Sequence, residues 1–170
     1  ANQVPRLAYL AAAATDSASA ATAWSTGFKT DDGNIAWLSG DPIDGALTTL
    51  AEQLRLEKGF AIGVVSTVPF SHATPAAHVS HNVDRDNYVA IAAEILRRFQ
   101  PEVVIGGGHP KWTGKYKYLS GADYTALKTD GLGETYVFAE RRQGADAAAA
   151  LLAAARTAAK SGKKLFGLFG

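Results

Sequence analysis

The sequence has no cysteine, no methionine and only four histidines. Without cysteine, disulfides and thiolate metal sites are excluded, and the redox compartment leaves no trace in the chain. Without methionine even at position 1, a chain that opens Ala1-Asn2-Gln3 reads as processed or excised. Neither sign of charge is in excess. Seventeen basic against sixteen acidic side chains leave a formal charge of +1, which gives no electrostatic footprint for nucleic acid or an anionic membrane. No apolar run approaches the ~18 residues needed to cross a bilayer. The run Leu7 to Ala14 is similar to a short signal-peptide core. It has one basic residue ahead of it, Arg6, and leads directly into the most chemically suggestive segment, so it reads as structural.

What remains is a 170-residue chain, 47% apolar and 19% charged. That is enough for one globular domain or a large piece of a bigger α/β domain. Short β-rich runs alternate with helical stretches. Strands are expected at Ala61–Val65, Val103–Ile105, Tyr136–Phe138 and Leu165–Phe169. Helices are expected over Thr48–Leu56, over Tyr88–Phe99 with Ile91, Ile95 and Phe99 at fourfold spacing, and over the alanine-rich Ala145–Lys160, which stops at Gly162. This alternation predicts an α/β fold, a mainly parallel sheet flanked by helices on both faces. Leu165–Gly170 reads as a central strand, and a complete domain would rarely stop there, so an incomplete domain is expected.

Four segments invite chemistry. Thr15-Asp16-Ser17 follows an apolar run and precedes a helix pattern, where free N–H groups and the helix dipole favour an anion. The alternative is that Ser17 is only an N-cap. Residues 65–81 carry three of the four histidines, His72, His78 and His81, as metal ligands or as ordinary hydrogen-bonded side chains. Within this stretch Thr74-Pro75 reads as an N-cap followed by proline at the first helical position. Arg85, between Asp84 and Asp86, fits either a surface ion-pair cluster or a bidentate phosphate clamp. Gly106-Gly107-Gly108 fits neither GxxxxGK[ST] nor GxGxxG and reads as a tight turn. Lys111, Lys115 and Lys117 read as a solvated loop.

Together these pieces resemble the alkaline phosphatase family. Thr15 to Lys29 is similar to its T-D-S-A-x-x-x-T-A-x-x-T-G-x-K nucleophile signature at every fixed position. Val65-Ser66-Thr67 and His72-Ala73-Thr74-Pro75-Ala76-Ala77 are similar to its V-S-T … [DH]-A-T-P-A-A segment, with Arg85 eleven residues after Thr74. The triple glycine and the terminal Leu165–Phe169 match in order. The resemblance implies residues 1–170 as part of one catalytic domain of a phosphomonoesterase with two zinc ions and a third metal, usually magnesium. It implies Ser17 as a nucleophile forming a phosphoserine intermediate, Arg85 as the clamp on phosphate, Asp16 orienting Arg85, and Thr74 with His72 at the third metal. His72, where many members have Asp, should weaken magnesium. His78 and His81 match no ligand of the family. A periplasmic or secreted homodimer is implied as well.

The family's N-terminal G-D-G-M-type segment and its later D-x-x-x-H and D-H segments have no counterpart here. The resemblance therefore implies an isolated chain with negligible turnover that needs the remainder of the enzyme as a second fragment. The rival expectation is a non-catalytic phosphate-binding module using Ser17 and Arg85. Another branch of the metal-dependent phosphatase and sulfatase superfamily is disfavoured, because T-D-S-A is not its nucleophile motif.

Overall fold

The computed structural model describes residues 14–170. Most of the apolar run Leu7–Ala14 lies outside that range. Four parallel strands form one sheet: β1 (Gly63–Pro69), β2 (Val103–Gly107), β3 (Tyr136–Glu140) and β4 (Lys164–Leu168), in the order β1-β2-β4-β3. The terminal strand β4 is interior, as its unbroken apolar run requires. Among the described residues the α-helices are α1 (Ser17–Thr26), α2 (Leu50–Lys58), α3 (Ala73–Ala76), α4 (Tyr88–Ala93), α5 (Pro110–Thr113), α6 (Gly121–Asp130) and α7 (Ala147–Ser161).

Strand parity divides the core into two layers. Val104, Tyr136, Phe138, Phe166 and Leu168 join α1, α3, α4 and α6 in the larger one, where Phe166 packs edge-on against Phe70 at 5.0 Å. Val103, Ile105, Val137 and Leu165 point the other way, onto Ala154 and Ala158 of α7. At β1 the same parity leaves Val65 68% exposed. β1 is thus an edge strand with one bare face, unusual for a parallel strand, which is normally covered on both sides.

Several expectations shift on contact with the structure. The first strand starts at Gly63 and runs to Pro69, further along than its apolar run suggested. The helix expected over 88–99 is α-helical only to Ala93 and continues as a π-helix from Glu94 to Phe99. α5 and α6 were not anticipated, since neither presents an apolar stripe. Ser120 caps α6 by accepting from the Asp123 N–H at 3.0 Å. The triple glycine, expected as a tight turn, starts within β2 and serves as a close-approach device. A Cβ on Gly106 would lie 2.9 Å from Phe70 Cβ and 3.0 Å from its backbone. Gly108 adopts φ +98°, open to glycine alone at low cost.

His81 locks the segment leading to Arg85. Its backbone N–H donates to Glu94 Oε2 at 2.8 Å, Nδ1 lies 3.0 Å from Glu94 Oε1, and Nε2 faces the Leu47 carbonyl at 3.0 Å and Glu52 Oε2 at 3.3 Å. Both ring nitrogens face only acceptors, so both must donate, and the bound form is imidazolium. Burial disfavours that charge, but the Glu94 hydrogen bond and the Glu52 and Glu94 charges outweigh it and raise the His81 pKa above 6.5. Because the folded value lies above the unfolded one, the stabilisation is complete below about pH 6.5 and fades as pH rises through the folded value. Melting temperature should therefore fall from pH 6 to 9 in the wild type and show a flatter dependence in His81→Gln. Equal slopes in both would remove His81 from the account. Gly106→Ala should lower the melting temperature by several degrees through forced displacement of Phe70; an unchanged value would show that the strand crossing can relax.

Candidate active site

The site begins with the cap of α1. Asp16, not Ser17, is the N-cap: its Oδ2 accepts from the Ala18 N–H at 2.8 Å and the Ser19 N–H at 3.0 Å. This corrects the reading of Ser17 as a cap and places Ser17 as the first helical residue. Asp16 Oδ2 also accepts from the Gly33 N–H at 3.1 Å, while the Arg85 N–H donates to the Gly33 carbonyl at 2.9 Å. One carboxylate thereby ties the helix start to two loops distant in sequence.

Arg85 reaches the same point from residues 82–87. Its Nη1 donates to Asp16 Oδ1 and to Ser17 Oγ, the latter at 2.7 Å. It pairs with Asp16 across sixty-nine positions rather than with its neighbours Asp84 and Asp86, so the surface-cluster alternative does not hold. Among the described residues, Arg85 Nε and Nη2 have no hydrogen-bond partner, which leaves two sets of N–H groups for an incoming anion. Burial pushes the Asp16 pKa upward. The Ser19 and Gly33 N–H bonds and the Arg85 guanidinium more than offset it, and the carboxyl stays below its ordinary value. Asp16 is thus a fixed anion that holds a guanidinium beside a serine hydroxyl.

His72 stands at the start of α3 and is the N-cap there, with Ala73 as the first helical residue, so Thr74-Pro75 lie two positions deeper than expected. The His72 ring stacks on Tyr88 with centroids 5.8 Å apart. Burial, followed by the positive charge of Arg85, holds the His72 pKa below 6.5, so the ring is neutral at neutral pH. Thr74 is exposed and borders a groove of about 720 Å³ with Ser66 and His78. His78 and His81 do not join His72: His81 is committed to Glu94, and among the described residues no three His, Asp or Glu side chains converge as a metal site.

The residues that complete the arrangement but lay outside the sequence reading are Gly33, Tyr88 and Glu94. Gly33 acts through its backbone, which no side-chain pattern reports. Tyr88 sits three positions after Arg85, its hydroxyl donating to Asp86 Oδ1 at 2.6 Å. Only the proximity of an aromatic residue to a candidate arginine hinted at it.

Comparison with known proteins identifies the family. The alkaline phosphatase family model matches residues 8–170. Alkaline phosphatase 3 of Bacillus subtilis is 36% identical over 110 residues, spanning 62% of this chain and 23% of its own length. The streptomycin-6-phosphate phosphatase of Streptomyces griseus is 42% identical over 71 residues, spanning 42% of this chain and 15% of its own. The cold-active alkaline phosphatase of Shewanella sp. superposes with a TM-score of 0.61 at 28% identity, over 92% of this chain and 42% of that one. The chain therefore spans about a quarter or less of these curated relatives' lengths. Over nearly all of its own length, it belongs to the alkaline phosphatase family.

Proposed function

We propose that this chain contributes the nucleophile and the phosphate clamp of a phosphomonoester hydrolase. The observation that carries the reading is the shared Arg85 Nη1, which donates to Asp16 and to Ser17 Oγ together. Phosphate binds with two non-bridging oxygens on the free N–H groups of Arg85, beside the positive end of α1. Ser17 Oγ then attacks phosphorus as its hydroxyl proton is released, the Oγ–P bond forms, and the ester P–O bond breaks with the leaving alcohol oxygen taking up that proton. Water attacks the phosphoserine in turn, breaking Oγ–P and releasing inorganic phosphate and the free hydroxyl. Arg85 stabilises the charge spread over the equatorial oxygens in both steps. Asp16 acts through Arg85 and does not touch the phosphate.

The zinc pair and third metal that the family implies do not fit the donors on these residues. Thr74 offers a neutral hydroxyl from an exposed position and His72 a neutral imidazole, and among the described residues no three His, Asp or Glu side chains converge to hold a metal. Such a set suits neither a zinc pair nor the oxygen cage of magnesium. Zinc and magnesium would require carboxylates and histidines from further polypeptide. The bare face of β1, bordered by Trp24, Leu50 and Phe60 at 73%, 55% and 55% exposure, supports such a polypeptide as part of the same catalytic domain. Assembly as a homodimer, and a periplasmic or secreted setting, belong to this reading by family likeness. Among the described residues, no helix is long and apolar enough to cross a membrane.

The absence of a converging ligand set also favours a second reading, a phosphate-binding module without turnover. Metal content separates the two, because only the hydrolase should take up zinc when supplied with the remainder of a family member.

On the hydrolase reading, the purified chain should bind inorganic phosphate in calorimetry, and Arg85→Ala should weaken it by about tenfold to a hundredfold, the worth of charge-assisted hydrogen bonds. Ser17→Ala should leave that affinity within about twofold. With zinc added, hydrolysis of p-nitrophenyl phosphate should stay at background. Unchanged affinity in Arg85→Ala would remove the clamp, and robust zinc-dependent turnover would overturn the incomplete ligand set.

A further inference from the structure

Arg85 stands between two carboxylates that do not pair with it. Asp84 and Asp86 flank it in sequence, yet among the described residues its one salt-bridge partner is Asp16. Both neighbours are held by bonds of their own. Asp84 Oδ1 accepts the Asp86 N–H at 2.8 Å, inside a turn closed by the Asn87 N–H on the Asp84 carbonyl at 3.1 Å. Asp86 Oδ1 accepts the Tyr88 hydroxyl at 2.6 Å, and the Tyr88 N–H donates to the Asp86 carbonyl at 2.8 Å. Tyr88 is buried and fixed, with its ring stacked on His72 at 5.8 Å and set edge-on against Tyr118 at 4.7 Å. Burial, with Asp86 adding to it, pushes the Tyr88 pKa up to about 12, so the hydroxyl keeps the proton it donates. Asp86 and Tyr88 line an open pocket of about 770 Å³, and none of Asp16, Ser17 and Arg85 borders it.

We propose that Tyr88 is a positioning residue that holds Asp86 away from Arg85 and so leaves the guanidinium open to phosphate. The inference rests on the phosphate site proposed for Arg85 and Ser17. A guanidinium with Nε and Nη2 unspent, on a long flexible stem, is the natural target of a carboxylate one residue away. Asp86 is exposed, so its bond to the anchored tyrosine, rather than packing, directs its side chain. The two carboxylates differ in what they leave free. Asp16 takes only Nη1 and orients the group, whereas Asp86 on the remaining N–H groups would occupy the place of phosphate. Phosphate would then bind only the fraction of molecules whose Arg85 is unoccupied, and its apparent affinity would fall by that fraction. The hydroxyl of Tyr88 acts on the anion site through Asp86 and has no contact with Arg85 or Ser17 of its own.

Calorimetry with inorganic phosphate on the 170-residue chain tests this. Tyr88→Phe keeps the ring and its packing and removes only the hydroxyl. It should weaken phosphate by about fivefold, the worth of one partly exposed ion pair. Adding Asp86→Asn to Tyr88→Phe removes the competing charge and should return the affinity to within about twofold of the wild type, while Asp86→Asn alone should change it by less than about twofold. Asp84→Asn removes the charge on the other side of Arg85 and should give no rescue. Unchanged affinity in Tyr88→Phe would overturn the assignment. So would a loss that Asp86→Asn does not repair, which makes Tyr88 a packing residue, or one that Asp84→Asn repairs equally, which shows general charge without competition. Arg85→Ala in the same series separates the two levels of the proposal. If it spares phosphate the Arg85 site itself fails, and if it weakens phosphate while Tyr88→Phe does not, only the Tyr88 assignment fails.

Discussion

The site depends on one ion pair, Asp16 with Arg85. Asp16 is held by the backbone independently of Arg85, because its second oxygen accepts three N–H groups from Ala18, Ser19 and Gly33. A half-buried carboxylate satisfied in this way stays ionised and cannot swing away. The guanidinium is therefore presented in one orientation, with Nη1 on Asp16 and Ser17 and its remaining N–H groups unspent. Losing Asp16 would do more than remove a charge, since the cap of α1 and the anchor of the Gly33 loop would go with it.

The sheet supports this pair at a distance. Gly106 lets β2 pass within van der Waals contact of Phe70, and Phe70 sets where Ser71 and His72 emerge from the end of β1. His81 fastens the segment that runs on to Arg85 by bridging Glu94 with Glu52 and the Leu47 carbonyl. The fold thus delivers the serine from a helix start and the arginine from a loop. Both lie near the C-terminal ends of parallel strands, where open α/β sheets bind ligands. The bare face of β1 belongs to the same picture: a parallel strand with one uncovered side leaves room for further structure next to Thr74.

Much of this was legible in the sequence, though unevenly. β2, β3 and β4 show as short apolar runs because both of their faces are buried, whereas β1 shows poorly because exposed residues alternate along it. The π-helix at Glu94–Phe99 is invisible to spacing, since Ile91, Ile95 and Phe99 recur every four residues in either helix type. α6 escaped because its residues are mostly small or polar and only Asp123 and Leu127 are buried. At the site, Ser17 and Arg85 came from the likeness of ordered motifs, and spacing alone could not have joined residues sixty-eight positions apart. Gly33 acts through its peptide group, which leaves no periodic or compositional mark.

The central claim is that Asp16 holds Arg85 ready for a phosphate that also touches Ser17. A crystal structure of the chain grown at high phosphate concentration tests it most directly. A tetrahedral anion should lie on Arg85 Nε and Nη2, within hydrogen-bond distance of Ser17 Oγ, with the Asp16–Arg85 pair still in place. An anion bound elsewhere, or an Arg85 that leaves Asp16 to meet it, would contradict the account.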